Sequence, residues 1–142
     1  MIARQDNENL FPIRSDDLFH RHEGERIAAP LHPWELVQIG NCRAPVELDE
    51  GWLILTHGVG AMRKYCIGAM LLDKADPTRV LGRSRVPLLS PSDAGREVMC
   101  PMSFIPAAHW SMPGHLFTPY DIADSAVGFA TVRPGALVES LD

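Results

Sequence analysis

Twelve prolines and eleven glycines break these 142 residues into short pieces. The prolines stand at positions 12, 30, 33, 45, 77, 87, 91, 101, 106, 113, 119 and 134. A proline inside a helix costs about 3 kcal/mol, because it lacks an N–H and its ring collides with the preceding turn. No long helix fits between most of these points, so the chain is expected to be short strands and turns. The length is that of one domain, and 46% apolar residues are enough to furnish a core.

The strongest element is Gly51 to Val59. Trp52, Ile54 and Thr56 point to one face and Leu53, Leu55 and His57 to the other. Both faces are largely apolar, which predicts an inner strand covered on both sides. Lys64 to Asp73 is its natural partner across the Gly60 loop. Val80 to Ser84 starts another strand after the Asp76-Pro77-Thr78 turn. Weaker strands are expected at Leu10 to Arg14, Leu36 to Ile39, Leu116 to Tyr120 and Gly128 to Val132. Ser15-Asp16-Asp17-Leu18 reads as a cap followed by one helical turn, and Pro134 to Leu141 as a short terminal helix. Pro87 to Arg96 is the expected long surface loop. Strands at such intervals suit a sandwich, a barrel or a propeller, and no clean sequence repeat chooses among them.

Thirteen basic residues against eighteen acidic ones give a net charge of −5, not the basic excess of a general nucleic-acid binder. The longest apolar runs, such as Ile67 to Leu72, are too short to span a bilayer. Neither nucleic acid nor membrane is an expected partner. Met1 to Leu10 is polar and lacks the apolar segment of a secretory signal. Cys42, Cys66 and Cys100 are widely spaced and odd in number, which suits free thiols in a reducing cytoplasm. His20 and His22 have no correctly spaced cysteine or carboxylate, so no metal site is expected. The sequence carries no Walker loop, GxGxxG, GxSxG or HExxH.

A few residues invite a chemical reading. His57 closes an apolar strand before Gly58, where it can face a ligand or sit as a hydrogen-bonded, half-buried histidine. Arg63 and Lys64 follow across the loop, either as an anion-binding pair with His57 or as solvated surface cations. Asp124, between two predicted strands, can accept sugar hydroxyls or make an ordinary Asp-Ser turn, and Tyr120 offers a ring face nearby. Asp16-Asp17 and Asp49-Glu50 are adjacent pairs within turns, read as solvated or capping carboxylates.

Several strings, in order, carry a more specific signal. They are Trp34-Glu35-Leu36-Val37-Gln38-Ile39-Gly40-Asn41-Cys42, Gly51-Trp52-Leu53-Ile54-Leu55-Thr56-His57-Gly58-Val59-Gly60 and Met62-Arg63-Lys64-Tyr65. Ile67-Gly68-Ala69, Leu71-Leu72-Asp73, Asp76-Pro77 and Val80-Leu81-Gly82-Arg83 continue the pattern. Ser15-Asp16-Asp17-Leu18 and the stretch from Ala123-Asp124 to Gly128-Phe129-Ala130-Thr131-Val132 complete it. Together they resemble glycoside hydrolase family 130, the β-mannoside phosphorylases and related mannosidases, over nearly the whole chain.

The resemblance implies an all-β fold. The chain would be the C-terminal part of a five-bladed β-propeller, about three blades in one partial domain over residues 1–142, with a short C-terminal helix. It implies cleavage of a manno-oligosaccharide or mannoside, with inorganic phosphate as co-substrate in phosphorolysis or water in hydrolysis, and no other cofactor. His57 resembles the phosphate-binding histidine of the His-Gly-Val string, and Arg4 one of the phosphate-binding arginines. Gln38 stands where the phosphorylases carry a phosphate-binding lysine, which keeps a donor and loses a charge. Arg63 would join this anion side. Asp124 resembles the aspartate that holds the mannosyl ring, with Tyr120 beside it on the sugar side. The family's catalytic aspartate lies upstream of the matched stretch, so no residue here is assigned that role. This chain alone is therefore expected to lack the acid, although it reads as part of an enzyme. Arg43-Ala44-Pro45, Cys100 to Ala108 and Asp121 depart from the family's pattern. Arg43 and Met102 would crowd the inner rim. A truncated, non-catalytic sugar-binding or inactive remnant is the alternative. A further one is an interaction domain, whose open strand edges would pair with missing N-terminal blades or with another copy.

Overall fold

The computed structural model describes residues 1–91, 110–112, 114–122 and 126–142. Ten strands, one short helix and two single 3-10 turns account for its regular structure. The central sheet is built on the sequence's strongest element. Strand β5 (Trp52–Val59) pairs antiparallel with β6 (Tyr65–Leu72) in unbroken register, from Trp52 opposite Leu72 to Val59 opposite Tyr65. The outer side of β6 takes β7 (Val80–Arg83), with a register shift at Leu71/Leu72.

The other side of β5 is shared by two strands lying end to end. Strand β3 (Gln38–Asn41) covers Thr56 to Val59, and β4 (Val46–Glu47) covers Trp52 and Leu53. Pro45, which has no N–H for a ladder, stands in the interval between them. Two smaller antiparallel sheets flank this one. One pairs β1 (Ile2–Ala3) with β2 (Phe11–Pro12). The other runs β10 (Ala126–Val132), β9 (His115–Ile122), β8 (Trp110–Met112).

The alternation along β5 divides the core in two. Ile54 joins Leu10, Ala28, Ile39, Met70 and Leu72 on one face. Leu53 and Leu55 join Ala69, Leu71, Leu116 and Leu137 on the other. Leu137 comes from the helix α1 (Pro134–Glu139), whose N-terminal proline lacks only a donor that would have no helical partner. Fully burying a residue such as Leu53 or Ile54 contributes roughly 1.5–3 kcal/mol, so β5 anchors both clusters at once.

On the first face Trp34 lies flat across the central sheet. An ideal Cβ at Gly58 would sit 2.5 Å from the indole, and one at Gly68 would also sit 2.5 Å from it. Only glycine at both positions admits the ring. Glu35 comes next, fully buried, with Oε1 accepting from Arg83 Nη2 at 2.6 Å and from the Leu31 and His32 N–H groups at 3.1 Å. This buried ion pair ties the segment before β3 to the sheet's far edge.

One expectation is corrected and two are refined. Ser15 to Leu18 makes no helical turn. The Ser15 hydroxyl accepts the Leu18 N–H at 2.9 Å, and Asp17 accepts the N–H groups of Phe19 and His20. These local acceptors outcompete the helical carbonyl and leave a bent loop. The surface loop predicted from Pro87 is irregular in its described part and carries one isolated bridge to β6, where Leu88 donates to Ile67 C=O at 2.7 Å and Ile67 to Leu89 C=O at 2.9 Å. The rest of that loop lies outside the described residues. Finally, the terminal helix closes at Glu139, and Asp142 exchanges backbone hydrogen bonds with Arg83 on the β7 edge.

Candidate anion-binding site

The register of β3 on β5 sets the site. Gln38 lies opposite Val59 and Gly40 opposite His57, and Cys42 continues the line by donating its N–H to Leu55 C=O at 2.9 Å. Residues two apart share a face, so Gln38, Gly40 and Cys42 all stand on the side of β3 that His57 occupies. Gly40 is the gap in that row, and the imidazole of His57 fills it. An ideal Cβ there would overlap the ring, lying in contact with Cε1 and 2.7 Å from Nε2.

Arg4 reaches the same point. The ideal Gly40 Cβ lies 3.2 Å from Arg4 Nε, so the guanidinium and the imidazole converge over one glycine. A turn just after β1 brings Arg4 there. Asp6 Oδ1 accepts the N–H groups of Glu8 at 3.0 Å and Asn9 at 2.9 Å, and Asn9 Nδ2 donates to Oδ2 at 2.6 Å. The Asn9 side chain is the chief reason that the Asp6 carboxyl is held down to about 2. Glu8 C=O then accepts from Ile39 N–H at 2.9 Å, docking the turn onto β3. The guanidinium donates to the Asn7 carbonyl at 3.4 Å.

His57 is buried, and its ring meets Tyr65 at a centroid distance of 6.1 Å. Burial and the Arg4 cation together lower its pKa to about 4. At neutral pH it is therefore a hydrogen-bond donor and acceptor and not a cation. Cys42 Sγ lies 3.9 Å from its Nδ1, and desolvation pushes that thiol upward, away from thiolate. The three side chains around Gly40 thus present one formal positive charge and neutral donors.

Two further expected residues sit on other elements. Arg63 is exposed in the 3-10 turn Ala61–Arg63 of the β5–β6 hairpin, with a φ of 55°. Tyr120 shares its face of β9 with Leu116 and Thr118, and its ring covers Gly128 across the strand pair. Asp124, Cys100 and Met102 lie outside the described residues. Sequence reading missed Cys42 as a neighbour of His57. The signal was available: a residue two positions beyond Gly40 must share its face once β3 pairs with β5. Among the described residues no group of three or more His, Cys, Asp or Glu side chains could hold a metal, and no helix is long and apolar enough to cross a membrane.

An antiparallel β-fold that brings an arginine and a neutral histidine together over a glycine defines a candidate anion-binding β-protein. The sequence model of glycoside hydrolase family 130, described as beta-1,4-mannooligosaccharide phosphorylase, matches residues 3–142. The chain belongs to that family. It is 31% identical over 103 residues to a beta-1,2-mannobiose phosphorylase of Thermoanaerobacter sp. strain X514, a match covering 72% of this chain and 34% of that protein. It is 36% identical over 86 residues to the beta-1,4-mannooligosaccharide phosphorylase of Ruminococcus albus, covering 58% of this chain and 26% of that one. In structure it is similar to the beta-1,2-mannobiose phosphorylase of Listeria innocua, solved with beta-1,2-mannobiose. The TM-score is 0.81 at 24% identity, over 97% of this chain and 40% of that one. The match thus spans about a quarter to two fifths of the length of these relatives.

Proposed function

We propose that this chain is the anion-binding part of a family 130 enzyme that cleaves β-mannosides, one partial domain of about three blades from a five-bladed β-propeller. The convergence of Arg4 and His57 over Gly40 carries the reading. In glycoside cleavage a carboxylic acid protonates the leaving oxygen while a nucleophile attacks the anomeric carbon from the opposite face. A phosphate nucleophile brings its own charge, so the protein must supply cations and donors around it. Arg4 supplies charge and His57 one neutral donor. Gln38, on the same strand face, adds a donor where the phosphorylases have a lysine. That exchange weakens the hold on a dianion and favours water as nucleophile. Arg63 lies at the hairpin next to the His57 end of β5, and Asp124 with Tyr120 forms the sugar side.

The catalytic acid belongs to the part of the relatives' length that this chain does not span. General acid catalysis contributes typically 10²–10⁴-fold. The 142-residue chain alone is therefore expected to show no turnover on manno-oligosaccharides, with or without inorganic phosphate. Turnover should appear when the remaining portion of a family relative is fused to it or supplied in trans. Robust activity of the chain alone, abolished by Asp124→Ala, would show that the acid is here. No activity in any combination would favour the second reading, a non-catalytic remnant, which the departures from the family's pattern at Arg43, Met102 and Asp121 support.

A further inference from the structure

The thiol beside His57 has no assigned part in anion binding or in cleavage. We propose that Cys42 is a positioning residue that sets the tautomer of His57, its S–H donating to Nδ1 so that Nε2 carries the proton on the side shared with Arg4. The inference rests on the anion-site reading for its purpose, and on strand geometry for its substance. Backbone pairing to Leu55 fixes Cys42 on the face of β3 that His57 occupies, with Sγ 3.9 Å from Nδ1. Nε2 belongs to the ring edge over Gly40, where the guanidinium also arrives.

A neutral imidazole has one N–H and one lone-pair nitrogen, and a neighbour that donates claims the lone pair. A thiol is a weak donor and a weak acceptor, and the imidazole lone pair is a better acceptor than its sulfur, so its favoured role toward a ring nitrogen is to give its proton. Burial keeps Cys42 in the protonated form able to do this. With Nδ1 occupied, the remaining N–H is Nε2–H, which joins the Arg4 guanidinium as a donor toward an anion. The opposite tautomer would aim a lone pair at that anion and repel it. Tyr65, tilted by 32° against the imidazole, limits the ring's freedom to flip and exchange the two nitrogens.

Long-range proton–nitrogen NMR correlation of the His57 ring in the intact 142-residue chain reads the tautomer directly, without ligand. The wild type should show Nε2 protonated and Nδ1 bare. Cys42→Ala should shift the population toward Nδ1–H, and Cys42→Ser, which keeps a donor, should restore the wild-type pattern. In a parallel titration with inorganic phosphate, Cys42→Ala should bind roughly three- to tenfold more weakly, the value of one neutral hydrogen bond, and Cys42→Ser close to the wild type. An Nδ1–H wild type, or an unchanged tautomer in a folded Cys42→Ala, overturns the proposal. A tautomer that tracks Cys42 while phosphate leaves His57 unperturbed upholds the positioning role and rejects the anion site instead.

Discussion

At the residue scale, His57 makes stability depend on pH in a predictable direction. The unfolded chain takes up a proton near 6.5, whereas the buried ring resists it down to about 4. Between those values the unfolded state binds the extra proton, so stability present above 6.5 is lost as pH falls toward 4, at about 1.4 kcal/mol per pH unit. Urea denaturation at pH 7 and pH 5 should show a smaller difference in His57→Gln than in the wild type. Equal differences would mean that His57 is not buried as described. The Glu35–Arg83 pair makes a second residue-scale prediction. Arg83→Met strands a fully buried carboxylate on two backbone donors, and should cost about 3–5 kcal/mol in the same assay. Adding Glu35→Gln should recover part of that loss, and no recovery would show that packing, not charge, explains it. Arg4 could be picked from the sequence only through the family resemblance, whereas His57 also stands out by closing an apolar strand before Gly58. Their meeting over Gly40 depends on the Asp6 turn and the β3 register, which no local pattern encodes.

At the element scale, the β5–β6 hairpin is the most legible part of the chain. Its alternating apolar faces dictate a doubly covered strand whatever surrounds it, and Leu53 and Ile54 do face opposite clusters. Leu53→Ala should destabilise by about 2–5 kcal/mol, whereas Val127→Ala, on the exposed outer strand, should change stability by less than about 0.5 kcal/mol. Comparable losses at both would contradict the placement of Val127 outside the core. The loop from Ser15 misleads because a capping pattern looks the same with or without a helix after it. The neighbouring side chains decide, and here Asp17 satisfies the N–H groups of Phe19 and His20 itself. Strand β4 is invisible in the sequence for another reason. Two residues beside a proline carry no periodicity, and only pairing to Trp52 and Leu53 makes them a strand.

At the scale of the whole molecule, the described residues form sheets of two, five and three strands. Strand β10 ends its sheet with Val127 63% exposed and Phe129 65% exposed, an edge suited to pairing with another strand. Phe129→Lys should lower any self-association seen by sedimentation without loss of the fold, and unaltered association would place the contact elsewhere. The central claim, however, concerns the convergence of Arg4 and His57, and titration of inorganic phosphate into the purified chain tests it most directly. The account predicts saturable, concerted shifts of the His57 ring and Arg4 Nε NMR signals, with tighter binding in Gln38→Lys. Signals that stay unmoved, or shift with the same affinity after Gln38→Lys, would contradict it.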